Sequence, residues 1–134
     1  MDATLRLLRI LQVALLASVV LYAVVGELAG PPESSDVRQL RLILIALAGG
    51  LLVAIGAVRQ RMVSPAAEAL RSRPDDALAL SRWRAGTIVT FVLAEAIALY
   101  GLVLRMMGGK LLQALPFYAA GAVLLLVFTP RRPE

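Results

Sequence analysis

The stretch Ala94-Glu95-Ala96-Ile97-Ala98-Leu99-Tyr100-Gly101-Leu102 decides how this chain is read, because it sets one carboxyl group in the middle of a long apolar run. Between Arg84 and Arg105 the only ionisable side chain other than tyrosine is Glu95. A helix of that length crosses the roughly 30 Å apolar core of a bilayer. A charged side chain at its centre costs roughly 2.5 to 3.5 kcal/mol on insertion scales and more in simulations. Protonating a free glutamate at pH 7 costs about 3.7 kcal/mol, below the effective penalty of burying an unpaired ion. Glu95 is therefore expected as a neutral acid unless a cation accompanies it.

The rest of the composition points the same way. The chain is 60% hydrophobic and has a mean hydropathy of +0.81, well outside the soluble range. We read it as an integral membrane protein. Its isoelectric point near 10.7 comes from arginines at the ends of apolar segments, as the positive-inside rule requires. No basic-aromatic surface accompanies the charge, so nucleic acid is not an expected partner. With no Cys and no His, disulfides, thiol chemistry and the commonest zinc sites are excluded. No phosphate-cradling glycine loop is present, and no nucleophile has a plausible base. The expectation is a non-enzymatic protein without cofactor, metal or catalytic residues.

Four apolar segments organise residues 1–134 into a single membrane domain, with spans at about 7–28, 37–58, 85–107 and 111–129. The first begins among Arg6 and Arg9 and is longer than the apolar region of a secretory signal; Gly26-Glu27-Leu28-Ala29-Gly30 is a poor cleavage site, so it is read as a retained span. Gly30 to Asp36 is a turn in which Ser35 or Asp36 can cap the second helix. That second segment has an uncharged part of only about seventeen residues, near the lower limit for spanning.

The linker 59–84 is the sizeable aqueous region. Ser64-Pro65 reads as a helix start, and Ala66 to Arg73 as a short helix lying on the membrane surface, with Arg71 and Arg73 beside its apolar face. Pro74 ends it, and Asp75 or Asp76 caps the next helix, which continues through Leu80 and Trp83 into the third span. Arg82, Trp83 and Arg84 are expected at the membrane interface, Trp83 as an anchor. Gly108-Gly109-Lys110 is a tight turn, and Pro116 should kink the fourth segment or delay its start.

Counting basic residues orients the whole. With the N-terminus inside, ten arginines (Arg6, Arg9, six from Arg59 to Arg84, Arg131 and Arg132) lie inside, against Arg38, Arg41, Arg105 and Lys110 outside. Both termini are expected inside. The fold expected is all-α: a four-helix membrane protein of two helical hairpins, with an interfacial helix in the cytoplasmic linker. Leu15 to Ala23 also aligns with Leu93 to Gly101, Ala17 falling opposite Glu95, which hints at duplication of the hairpin.

Helices in lipid associate through close backbone approach and polar contacts. Ala46, Gly50 and Ala54 form one small-residue stripe, and Ala94, Ala98 and Gly101 another; they can face each other or a neighbouring subunit. For Glu95, the candidate polar neighbours on other segments are Ser18, Tyr22, Gln113 and Tyr118.

Glu95-Ala96-Ile97-Ala98-Leu99-Tyr100-Gly101-Leu102 also resembles the second helix of the proteolipid (c) subunits of rotary ATP synthases. The small residues of the preceding segment (Ala46, Ala48, Gly49, Gly50, Ala54, Gly56) and the Arg59-Gln60 pair at its end agree with that family's first helix and loop, although Arg61 stands in place of the loop proline. The resemblance covers Ala46 to Leu102; the segments before and after it have no counterpart in a two-helix proteolipid. It implies that Glu95 is an ion-binding acid, that Tyr100 is its neighbour, and that the chain works as a homo-oligomer or as a subunit of a membrane complex. Ala96 offers no hydroxyl for sodium, so the cargo expected is the proton. The alternative is a scaffold or assembly subunit of the bacterial cytoplasmic membrane that docks a partner through its linker.

Overall fold

The computed structural model describes residues 2–32 and 37–131, which are predominantly helical with no strand among them. The elements are α1 (Asp2–Ala29), α2 (Arg38–Val58), a π-helical turn (Arg59–Val63), α3 (Ser64–Ser72), α4 (Ala77–Met106) and α5 (Leu111–Val127). Three helical stretches, Asp2–Ala29, Arg38–Ser72 and Ala77–Met106, are long and apolar enough to cross a membrane; α5 is a shorter apolar helix. Ser35, Asp36 and Arg132 lie outside the described residues, so the proposed cap of α2 does too.

The centre of the fold is α4, against which α1, α2, α3 and α5 all pack. The helices α1 and α4 run the same way: Leu8 and Trp83 share one apolar cluster near their starts, and Glu27 pairs with Arg105 near their ends. The α1–α2 pair does not form a packed hairpin; α2 leaves α1 and lies on α4, whereas α5 packs closely against α4 and also touches α1. The two halves therefore differ in packing, whatever their sequence alignment.

Small residues explain the closeness of α4 and α5. A Cβ on Gly121 would lie 2.7 Å from the Ala98 Cβ and 2.9 Å from the Ala94 carbonyl oxygen, and one on Gly101 would lie 3.0 Å from the Ala114 carbonyl oxygen. The stripe of Ala94, Ala98 and Gly101 is thus consumed within the chain. The stripe on α2 is not: Ala46 and Gly50 are exposed, Ala54 is half-buried, and a Cβ on Gly49, Gly50 or Gly56 would meet nothing. Away from α4, the helices present large apolar side chains outward, among them Leu28 at 83% and Val53 at 73% exposure. Such continuous apolar surface needs an apolar surround or a partner.

Ser64-Pro65 does not start a new helix. Ser64 has helical backbone angles, and its N–H donates to the Arg59 carbonyl five residues back. Proline lacks an N–H and crowds the carbonyl four residues before it, which here belongs to Arg61. The wide π-turn immediately upstream accommodates Pro65, so α2 runs on into α3. Nor does α3 present its apolar face outward: Ala66 and Leu70 are buried with Leu8, Val63, Ala79 and Trp83.

Asp76 caps α4, its Oδ1 accepting from the Leu78 N–H at 3.1 Å and the Ala79 N–H at 3.2 Å. Asp76→Ala should lower stability by about 1 kcal/mol, read as an earlier thermal melt of the detergent-solubilised protein. At the other end, Gly108 takes φ 98°, and the Gly109 N–H closes on the Leu104 carbonyl at 2.9 Å. This left-handed ending is why glycine occupies the turn. Helix α5 then begins with Gln113 Oε1 accepting from the Lys110 N–H at 2.9 Å, and continues through Pro116.

Candidate functional site

Glu95 sits eleven residues after Arg84 and ten before Arg105 on α4, about 15 Å along the helix from either. It is 8% exposed. Its helix neighbours Phe91, Ala94 and Ala98 belong to the main apolar cluster, which also takes in Val19 of α1 and Tyr118 and Leu125 of α5. A carboxyl so enclosed has little water to satisfy it.

Of the four candidate neighbours, Tyr22 of α1 is the one brought to the acid. Its hydroxyl interacts with the Glu95 carboxyl, but outside good hydrogen-bond geometry, so both carboxyl oxygens lack a partner among the described residues. Ser18 donates instead to the Ala14 carbonyl of its own helix at 3.0 Å, and Gln113 is spent at the start of α5. Tyr118 has its hydroxyl buried without a hydrogen-bond partner among the described residues, in the field of Glu27 and Arg105.

Tyr100 is not beside Glu95. Five residues along a helix is a turn of about 140°, which carries Tyr100 to the opposite flank, where it packs with Val37, Leu40, Leu44 and Ala48 of the α2 region and with Phe117. The aromatic hydroxyl at the acid is supplied by α1, a segment without counterpart in a two-helix proteolipid. No cation pairs with the acid among the described residues: the ion pair there, Arg105 with Glu27, is ten residues away along α4.

That ion pair is a feature the sequence reading missed. Arg105, buried at 9% exposure, donates through Nε to Glu27 Oε1 at 3.1 Å and through Nη1 to the Pro31 carbonyl at 2.8 Å. A signal for it existed. The pair is separated by 78 residues, the same offset that aligns Leu15 with Leu93, so the suspected repeat register sets opposite charges at matching positions. A second missed contact is Gln12, whose Nε2 donates to the Leu125 carbonyl at 2.7 Å and to Thr129 Oγ1 at 2.8 Å, tying α1 to the end of α5.

Among the arginine-rich residues, Arg71, Arg73, Arg82 and Arg84 are exposed. Trp83, by contrast, is 4% exposed, its ring packed among α1, α3 and α4 rather than presented outward as an anchor. No group of acidic residues capable of holding a metal occurs among the described residues. Comparison with protein-family models, curated proteins and solved structures finds no match to this chain.

Proposed function

We propose that the chain is a multi-pass, proteolipid-like protein of the bacterial cytoplasmic membrane, with both termini inside, in which Glu95 takes up and releases a proton as part of an oligomer. The observation that carries this reading is the state of the Glu95 carboxyl: buried at mid-span, with neither oxygen hydrogen-bonded among the described residues and no cation in contact. An ionised carboxylate there would need a paired charge. An acid serving only to hold helices together would be expected to make a well-formed hydrogen bond across the interface, whereas the Tyr22 hydroxyl of α1 stands by the Glu95 carboxyl without one. A neutral acid with unfilled bonding capacity fits the loaded half of a proton-binding cycle.

The surroundings support the same reading. Glu95 lies on the seam between α1 and α4, where the Tyr22 hydroxyl of α1 is the polar group nearest its carboxyl. Subunit association is supported by α2, whose glycines meet nothing within the chain; small-residue faces of this kind let helices approach closely in lipid.

The test is carbodiimide modification of the protein in membranes. We expect labelling at Glu95, loss of labelling in Glu95→Gln, and loss of any proton flux in vesicles reconstituted with that variant, with helix content and assembly unchanged. Tyr22→Phe should alter the labelling rate, and Tyr100→Phe should not. Labelling that persists in Glu95→Gln, or a Glu95→Gln variant that works normally, would remove the case for a titrating site.

A further inference from the structure

At the arginine-rich end, the π-turn, α3, the start of α4 and the segment after α5 enclose a cavity of about 620 Å³. Three guanidinium groups line it, from three separate elements: Arg59 on the π-turn, Arg71 on α3 and Arg131 beyond α5. One carboxylate, Glu68, lines it as well. None of the three arginines has a carboxylate within ion-pair distance among the described residues. Three like charges against one opposite charge gather in one cleft only at a cost, unless an anion completes it.

The chemistry of the lining narrows the anion. Guanidinium forks match the oxygens of a phosphate in paired hydrogen bonds. Arg59 is held in place: its guanidinium carbon sits 4.1 Å from the centroid of the Phe128 ring, leaving the fork edge available while the face is occupied. Ser64 and Thr129 supply hydroxyls to the same cavity, and Val63, Ala67 and Val127 make its apolar part. A charged rim continuous with apolar wall, at the depth where the apolar helices end, suits an amphiphile better than a free ion. Basic pockets between helices at this depth are a known way of holding anionic headgroups.

We infer that this cavity binds the phosphate headgroup of an anionic phospholipid, with Arg59, Arg71 and Arg131 as its cationic ligands. The site is separate from Glu95 and does not depend on whether that acid titrates. Bound there, one lipid joins the continuous α2–α3 rod to the segment after α5, which otherwise meet chiefly through α4.

The chain contains a single tryptophan, and Trp83 lines this cavity, so occupancy is readable from its fluorescence. The experiment titrates short-chain phosphatidylglycerol into the full-length protein in detergent, with short-chain phosphatidylcholine and inorganic phosphate as the other two arms. A saturable change is expected with phosphatidylglycerol alone. The midpoint should weaken about tenfold in each of Arg59→Gln, Arg71→Gln and Arg131→Gln, the loss of one charge-assisted contact, and stay unchanged in Arg84→Gln, an exposed arginine outside the cavity. Should Arg59→Gln fail to fold, the two exposed rim variants carry the test. An equal response to phosphatidylcholine, the same response to inorganic phosphate, or equal weakening in Arg84→Gln would overturn the proposal.

Discussion

Gly121→Leu is expected to separate α5 from α4 and to unfold the protein at a markedly lower temperature. The added Cβ alone would stand 2.7 Å from the Ala98 Cβ, 2.9 Å from the Ala94 oxygen and 3.2 Å from the Ala98 nitrogen. Two of those three atoms are backbone, so no side-chain rotation relieves the clash and the helices themselves must move apart. Overpacking in a tight core costs about 1 to 3 kcal/mol and occasionally more; a full leucine against helix backbone belongs at the upper end. The separation would also pull Gly101 away from Ala114 and Phe117, losing the second close approach of the same pair. Thermal unfolding in detergent, followed by helix content, measures it. Gly50→Leu is the control: its Cβ meets nothing within the chain, so the fold of one subunit should be unaffected. If subunits associate through α2, that variant should instead reduce the oligomer seen on size separation.

The second large effect is expected at the far end of α4. Arg105→Leu removes both the contact with Glu27 and the bond to the Pro31 carbonyl that pins the chain after α1. Breaking a fully buried ion pair costs about 3 to 5 kcal/mol, but the Glu27 side chain is 44% exposed and can recover water. A loss of about 2 kcal/mol is the expected size, in line with hydrogen bonds to charged groups. Glu27→Gln, which keeps an acceptor for Nε, should cost about half of that. Melting temperatures of the two variants, and faster amide exchange at the end of α1 in Arg105→Leu, check the ordering. Equal losses in both would mean that the charge, not the geometry, is what matters there.

These residues show how far the sequence could be read. The solitary acid at mid-span was legible because Arg84 and Arg105 bracket an otherwise uncharged run, and burial of Glu95 follows from that spacing. The Asp76 cap and the glycine turn after α4 were legible for local reasons: their hydrogen bonds close within a few residues. The partner of Glu95 was less so. Local likeness suggested Tyr100, whereas helical geometry places it on the far flank and tertiary packing supplies Tyr22. Trp83 lies between two arginines and looks like a boundary residue, yet the inward-facing side of α3 covers it. The start assigned to Ser64-Pro65 is sound for an isolated helix; it fails here because the chain absorbs the proline in a π-turn instead of stopping. The partnership of α1 and α2 was inferred from their adjacency, which decides little where hydrocarbon gives no drive for neighbouring helices to associate.

The dependence of every other helix on α4 has a consequence for biosynthesis. During translation α1 and α2 are delivered first, and with no extensive interface between them they must wait as independent lodgers in the bilayer until the ribosome has completed the segment ending at Met106. A nascent chain truncated before α4 would hold two long apolar helices without the helix against which both pack.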